Sequence, residues 1–209
     1  MPDASNLSEH EAGCAKVSEV TGDRAETVAA ICAALANGDR RSASEIARSQ
    51  YPFEQYRKST RAYTPYQSMR VFLRDGFRDR YSGRRLIFPG TLRLLSKILP
   101  DEFPVHRNWK MSETHSVFWE LFPTVDHLVP ITRGGADVEE NWITTSMLRN
   151  SAKSSWTIEE LGWSLLPIDC DPDWDGLTRW CLWFTEQNPE VARDDYMKRW
   201  CMAADQSLK

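Results

Sequence analysis

The chain has 209 residues, 41% of them hydrophobic and nine of them Trp, enough to bury a sizeable core in one large domain or in a catalytic domain with a small appendage. It contains no apolar run near the roughly 18 residues of a membrane span, and its polar, acidic N-terminus lacks the apolar segment of a secretory signal. Cys14, Cys32, Cys170, Cys181 and Cys201 are odd in number and form no C-x-x-C pair, which argues against a disulfide framework and fits reduced thiols in a cytoplasm. The net charge of −4 hides an asymmetry. Arg57 to Lys110 holds thirteen Lys/Arg against four Asp/Glu, a balance of +9, and Thr157 to Lys209 holds five against eleven, a balance of −6. A basic block of this kind is expected to meet backbone phosphates; the plainer reading is a solvated Arg-rich face with local ion pairs.

In chain order, residues 1–22 are polar and aperiodic and read as a flexible tail. Val28, Ile31, Cys32 and Leu35 recur at helical spacing over Ala25–Leu35, and Asn37-Gly38 is the stop. Ser42 and Glu45 offer a capping box for a second helix, Ala43–Gln50, ended by Pro52. Helix, Gly turn and helix invite a helix-turn-helix reading; a small helical support is the alternative. Between Tyr51 and Tyr81 aromatics alternate with Arg, and Met69, Phe72 and Leu73 predict a helix with one buried face. Leu86-Ile87-Phe88 reads as a short strand stopped by Pro89-Gly90, and Leu92, Leu95, Ile98 and Leu99 mark a helix up to Pro100. Residues 101–123, with His106 and His115, read as an insertion. Two C-terminal helices follow, with apolar faces at Leu177, Trp180, Cys181, Phe184 and at Met197, Trp200, Cys201, Ala204, separated by Pro189.

The chemistry concentrates between Thr124 and Ser154. Val125-Asp126-His127 ends an apolar run, Arg133-Gly134-Gly135 breaks regular structure, Asn141-Trp142-Ile143 resumes an apolar run, and Asn150 and Lys153 follow at helical spacing. The periodicity predicts strand, Gly-rich loop, strand, helix. Asp126, His127 and Asn150 are the types of group that converge on one hard metal ion and one water, because oxygen ligands suit Mg2+ or Mn2+ and a neutral imidazole acts as a base near neutral pH.

This stretch closely resembles the HNH endonuclease motif: a hairpin carrying Asp-His, a loop ending in Gly-Gly, an Asn starting the second strand, and a helix with Asn-x-x-Lys. The matching residues are Asp126-His127, Gly134-Gly135, Asn141, Asn150 and Lys153, with Asn150 at a position where His also occurs in the family. More weakly, Arg78-Asp79-Arg80-Tyr81-Ser82-Gly83 is similar to the segment that often precedes the motif. The resemblance implies metal-dependent phosphodiester hydrolysis giving 5′-phosphate and 3′-hydroxyl ends. Asp126 and Asn150 would hold the metal and His127 would be the general base. On a strand Asp126 and His127 point to opposite faces, so the resemblance implies a bend that brings both to one phosphate. Asn141 would be a tether, bonding loop backbone and helping to hold the His127 ring. Lys153, Arg133, Arg80 and Arg84 are the candidate phosphate contacts, and His115 a supporting contact. Many relatives carry two C-x-x-C pairs on a structural zinc. Here those pairs would fall near Tyr81 to Gly83 and near Ser146 and Arg149, none of them Cys. No structural zinc is therefore expected, with Phe118, Trp119, Phe122, Trp142 and Trp156 packing in its place.

The expectation is an α+β protein with a central ββα-metal module flanked by helices: a tail over 1–22, a helical N-terminal region over 23–75, the nuclease module with its insertion over 76–156, and a C-terminal helical region over 157–209. Its function would be a cytoplasmic endonuclease on DNA, with no membrane partner and with a homodimer allowed. The rivals are an RNA or structure-specific nuclease with the same site, and a non-catalytic nucleic-acid-binding protein with a vestigial site.

Overall fold

Two aspartates start the first two helices. Asp23 accepts from the Ala25 amide and opens α1 (Arg24–Ala36), and Asp39 accepts from the Ser42 amide and opens α2 (Arg40–Gln50). The expected Ser42–Glu45 capping box is thus replaced by a cap three residues earlier. Gly38, at φ 73°, turns the chain between the helices. The computed structural model describes residues 23–53, 63–168 and 171–209. The tail expected over 1–22 lies outside them, as do Tyr56, Arg57, Arg61 and Cys170. The chain divides into two units, Met1–Gln55 and Tyr56–Lys209. In the first, α1 packs on α2, with Ala43 buried and Arg24 over the Tyr51 ring.

The second unit begins with α3 (Pro65–Arg74), opened by a reciprocal Thr64–Gln67 capping box with Pro at its start. Sequence grouped this helix with the N-terminal ones; it packs instead on the central hairpin and on the last helix. Pro89-Gly90, read as a stop, begin α4 (Pro89–Ile98), as proline at a first helical position can. Leu86-Ile87-Phe88 form no strand. Their amides go to three separate carbonyls, of Phe77, Leu121 and Gly176. Short α5 (Val117–Glu120) leads into β1 (Pro123–His127), which pairs antiparallel with β2 (Trp142–Ser146), and α6 (Met147–Lys153) follows at once, its start capped by Ser146. Helices α7 (Thr178–Gln187) and α8 (Asp195–Ser207) close the chain, with Pro189 in a 3-10 turn between them. Among the described residues the architecture is mixed, eight α-helices and one two-stranded sheet. No helix there is long and apolar enough to cross a membrane.

A two-stranded hairpin is marginal in water, and here three supports hold it. Val125 and Trp142 enter a core with Phe72, Phe77, Phe88, Leu94 and Met197. Each such side chain contributes about 1.5–3 kcal/mol when fully buried. Phe72 also stacks on Trp200 of α8 at 6.4 Å between ring centroids. The outer edge of β2 is covered by polar groups of residues 74–80 rather than by a third strand. Asp75 accepts from the Thr144 amide at 2.8 Å, Asp79 from the Ser146 amide at 3.0 Å, and the Arg80 amide donates to the Thr144 carbonyl at 2.9 Å.

Asp79 also accepts from the Tyr81 and Ser82 amides and lies 3.9 Å from the Arg149 guanidinium. Residues near both expected Cys pairs are therefore joined by a buried carboxylate. The aromatic groups expected there are placed differently: Phe118, Trp119 and Phe122 gather around Trp109, and Trp156 is exposed. Asp79→Ala should leave the Tyr81 and Ser146 amides short of a partner, while the Ser82 amide keeps the Asp79 carbonyl. A loss of about 3 kcal/mol in chemical denaturation is expected, at roughly 1–3 kcal/mol per unsatisfied buried donor with partial relief by water.

Cys181 and Cys201, twenty positions apart in sequence, come together on α7 and α8 as hydrogen-bonded free thiols. That hydrogen bond, followed by burial, pushes the Cys181 thiol up, and the same bond draws Cys201 down to about 7.

Candidate metal and phosphodiester site

The loop between the strands is set by two glycines and one asparagine. Gly134 sits at φ 89°, a conformation that L side chains rarely adopt. A Cβ on Gly135 would lie 1.9 Å from the Val129 carbonyl oxygen and 2.9 Å from Asn141 Nδ2. That approach lets the Asn141 side chain span the loop: Oδ1 accepts from the Val129 amide at 2.9 Å, and Nδ2 donates to the carbonyls of Val129 at 2.9 Å and Ala136 at 2.8 Å. Asn141 makes no side-chain bond to His127. Other residues hold that ring.

Asp126 and Asn150 lie where β1 meets α6. Asp126 is 2% exposed, and its Oδ2 takes both the Tyr81 hydroxyl at 2.7 Å and Lys153 Nζ at 3.0 Å. Neither bond uses Oδ1. Burial and then the Asp126 charge push the Tyr81 hydroxyl well up, so it stays protonated and a donor. Asn150 Nδ2 donates to Thr124 Oγ1 at 3.0 Å and to the Val125 carbonyl at 3.3 Å, so the amide nitrogen is committed to β1 and the carbonyl oxygen is the end available to a ligand. The donor set of one carboxylate oxygen and one amide oxygen suits a hard divalent ion that keeps several waters. Among the described residues, no group of three or more His, Cys, Asp or Glu could hold a metal.

His127 is 1% exposed and has a separate set of partners. Asp137 Oδ1 lies 2.8 Å from Nε2, Trp142 Nε1 lies 3.2 Å from Nε2 and 2.9 Å from Asp137 Oδ1, and the Tyr63 hydroxyl lies 3.1 Å from each ring nitrogen. Strand β1 runs on through His127, which pairs in register with Trp142. The bend expected at this point is absent. Asp126 and His127 follow strand alternation, and none of the partners given for one side chain binds the other.

The expected phosphate contacts divide. Lys153 is fully buried and donates to the His127 carbonyl at 2.7 Å besides pairing with Asp126, so its ammonium is turned inward rather than to the surface. Arg80 is likewise internal, with Nε on the Leu166 carbonyl and Nη1 on Asp75. Arg133 is half-buried and lies 3.5 Å from Glu160. Arg84 is exposed. His115 keeps to local contacts, accepting from the Val117 amide and lying against Phe103. The basic block is partly neutralised by the acidic C-terminal region, since Asp171 takes Arg78 and Arg85, and Asp194 takes Lys97.

Sequence reasoning missed Tyr63, Tyr81 and Asp137. The hairpin register was the available signal: strands ending at His127 and starting at Trp142 set those two rings side by side, with Asp137 in the loop between. No family model, curated protein or solved structure matches this chain.

Proposed function

We propose that the chain is a metal-dependent endonuclease of the HNH type that hydrolyses phosphodiester bonds in DNA. The observation that carries the reading is the Asn141 tether across a Gly-Gly loop, the role the motif resemblance implies for this residue. The Asp126 and Asn150 oxygens, where β1 meets α6, support the reading further. Asp126 and Asn150 would hold a divalent ion, which would supply charge relief at the phosphate and at the leaving oxygen.

The chain's own groups do the rest. Lys153 and Tyr81 fix Asp126 through Oδ2 and keep Oδ1 available. Thr124 and Val125 orient Asn150. His127 accepts the proton of the attacking water at a ring nitrogen. For this the end of β1 has to bend so that the ring reaches the phosphate held at Asp126 and Asn150, and the Tyr63 hydroxyl, 3.1 Å from each ring nitrogen, gives up its place to the water. Exposed Arg84, with Arg133 once released from Glu160, is the phosphate contact that burial leaves open.

The enclosure of His127 and the buried Lys153–Asp126 pair favour a second reading, a nucleic-acid-binding protein with an inactive site. Plasmid DNA and RNA incubated with magnesium, manganese or chelator separate the two. Cleavage of DNA in magnesium that stops with chelator, at an unchanged melting temperature, is expected. Elemental analysis should find no stoichiometric zinc. DNA retained but uncut in both metals would favour the inactive site, and cleavage of RNA alone would move the substrate.

A further inference from the structure

We propose that Asp137 is a positioning residue that holds His127 in the tautomer with its proton on Nε2, leaving Nδ1 to accept the proton of water. The proposal rests on the hydrolytic reading only for its second half; the tautomer rests on the Asp137 contact to Nε2 at 2.8 Å outweighing the longer approach of the Trp142 indole to the same atom at 3.2 Å.

An ionised carboxylate only accepts hydrogen bonds, so the 2.8 Å contact between Asp137 Oδ1 and His127 Nε2 requires a proton on Nε2. The Trp142 indole only donates. Its 2.9 Å bond runs to the same Oδ1, and its 3.2 Å approach to Nε2 is then donor beside donor. Trp142 therefore locks Asp137, and Asp137 locks the ring. Nδ1 keeps its lone pair, and the Tyr63 hydroxyl, 3.1 Å from each ring nitrogen, lies over the ring face and favours neither. The backbone supports the same orientation, because Lys153 grips the His127 carbonyl and Asn141 fixes the loop from which Asp137 projects. A partner on one ring nitrogen that decides what the other can do is the usual way proteins set imidazole chemistry. Asp137 is 51% exposed at its side chain, so substitution there should leave the fold intact.

The test uses the full chain labelled with 15N. A long-range 1H–15N spectrum above the pH at which imidazoles protonate reports the tautomer, with the His127 signals assigned by their loss in His127→Ala. Wild type should show Nε2–H. Asp137→Ala should move to a mixture, and Asp137→Glu should return toward wild type. Single-turnover cleavage in magnesium should fall about 10- to 100-fold in Asp137→Ala, the loss typical of removing a carboxylate that orients a functional His, while DNA binding in calcium stays constant. An Nδ1–H tautomer in wild type would overturn the proposal, as would an unchanged spectrum in Asp137→Ala. Cleavage by Asp137→Ala at the wild-type rate would remove its role in hydrolysis. A wild type that cuts nothing would instead sink the hydrolytic reading, and the spectra would still decide the tautomer.

Discussion

His127→Ala should lower single-turnover DNA cleavage by about 10²–10⁴-fold, the range for removing a positioned general base, while DNA binding in calcium stays near wild type. The argument begins with the ring's place. His127 ends β1, where Trp142 lies opposite in register and Asp137 reaches its Nε2. The Asp126 carboxylate and the Asn150 amide bind a different set of residues, so removing the imidazole leaves both oxygens where they are. The cost in folding is modest for a catalytic test. Truncation leaves a cavity beside Tyr63 and Trp142 and removes one partner of the Asp137 carboxylate, which keeps the Trp142 indole and is half-exposed. A mutant that cuts at a rate close to wild type would place the base elsewhere. His115, held in local contacts with Val117 and Phe103, would be the next to substitute.

Much of this region was legible because its signals are local. Gly134-Gly135 marks a turn by backbone conformation, the apolar runs on either side mark strands, and Asn150 and Lys153 at helical spacing mark the helix. The contacts made by side chains from far along the chain were not legible. Asp75 and Asp79 look like solvated charges among arginines, yet they satisfy amides of β2 almost seventy residues away. Tyr63 and Tyr81 stand in the stretch where aromatics alternate with Arg, and nothing local shows that each places a hydroxyl on a residue of the candidate site. The Arg-rich block misled for the same reason. Counting charges along the sequence cannot show that Asp171 and Asp194 fold back to neutralise part of it. Element boundaries failed where proline has two uses: Pro89 could stop a strand or open a helix, and only the packing of Leu92 and Leu94 decided for the helix.

Lys153→Met should destabilise the fold by about 3–5 kcal/mol, the cost of removing one member of a buried ion pair. The residue is fully buried, and its Nζ bridges the Asp126 carboxylate at 3.0 Å and the His127 carbonyl at 2.7 Å. Methionine fills a similar volume, so packing is largely kept and what is lost is the charge and its donors. Asp126, 2% exposed, would then keep only the Tyr81 hydroxyl, which burial holds protonated and which cannot neutralise a carboxylate. Asp126→Asn in the same background removes that uncompensated charge, and the double variant should recover part of the loss. The coupling between the two sites, read from urea unfolding of the four proteins, should exceed about 1 kcal/mol, as for residues in one polar network. A lysine whose work is to meet DNA would behave in the opposite way. Its loss would leave unfolding unchanged and reduce the salt dependence of binding by roughly one unit of slope per contact. An unfolding midpoint close to wild type together with such a flattened salt slope would return Lys153 to the DNA-binding surface and overturn its assignment as the internal counter-charge of Asp126.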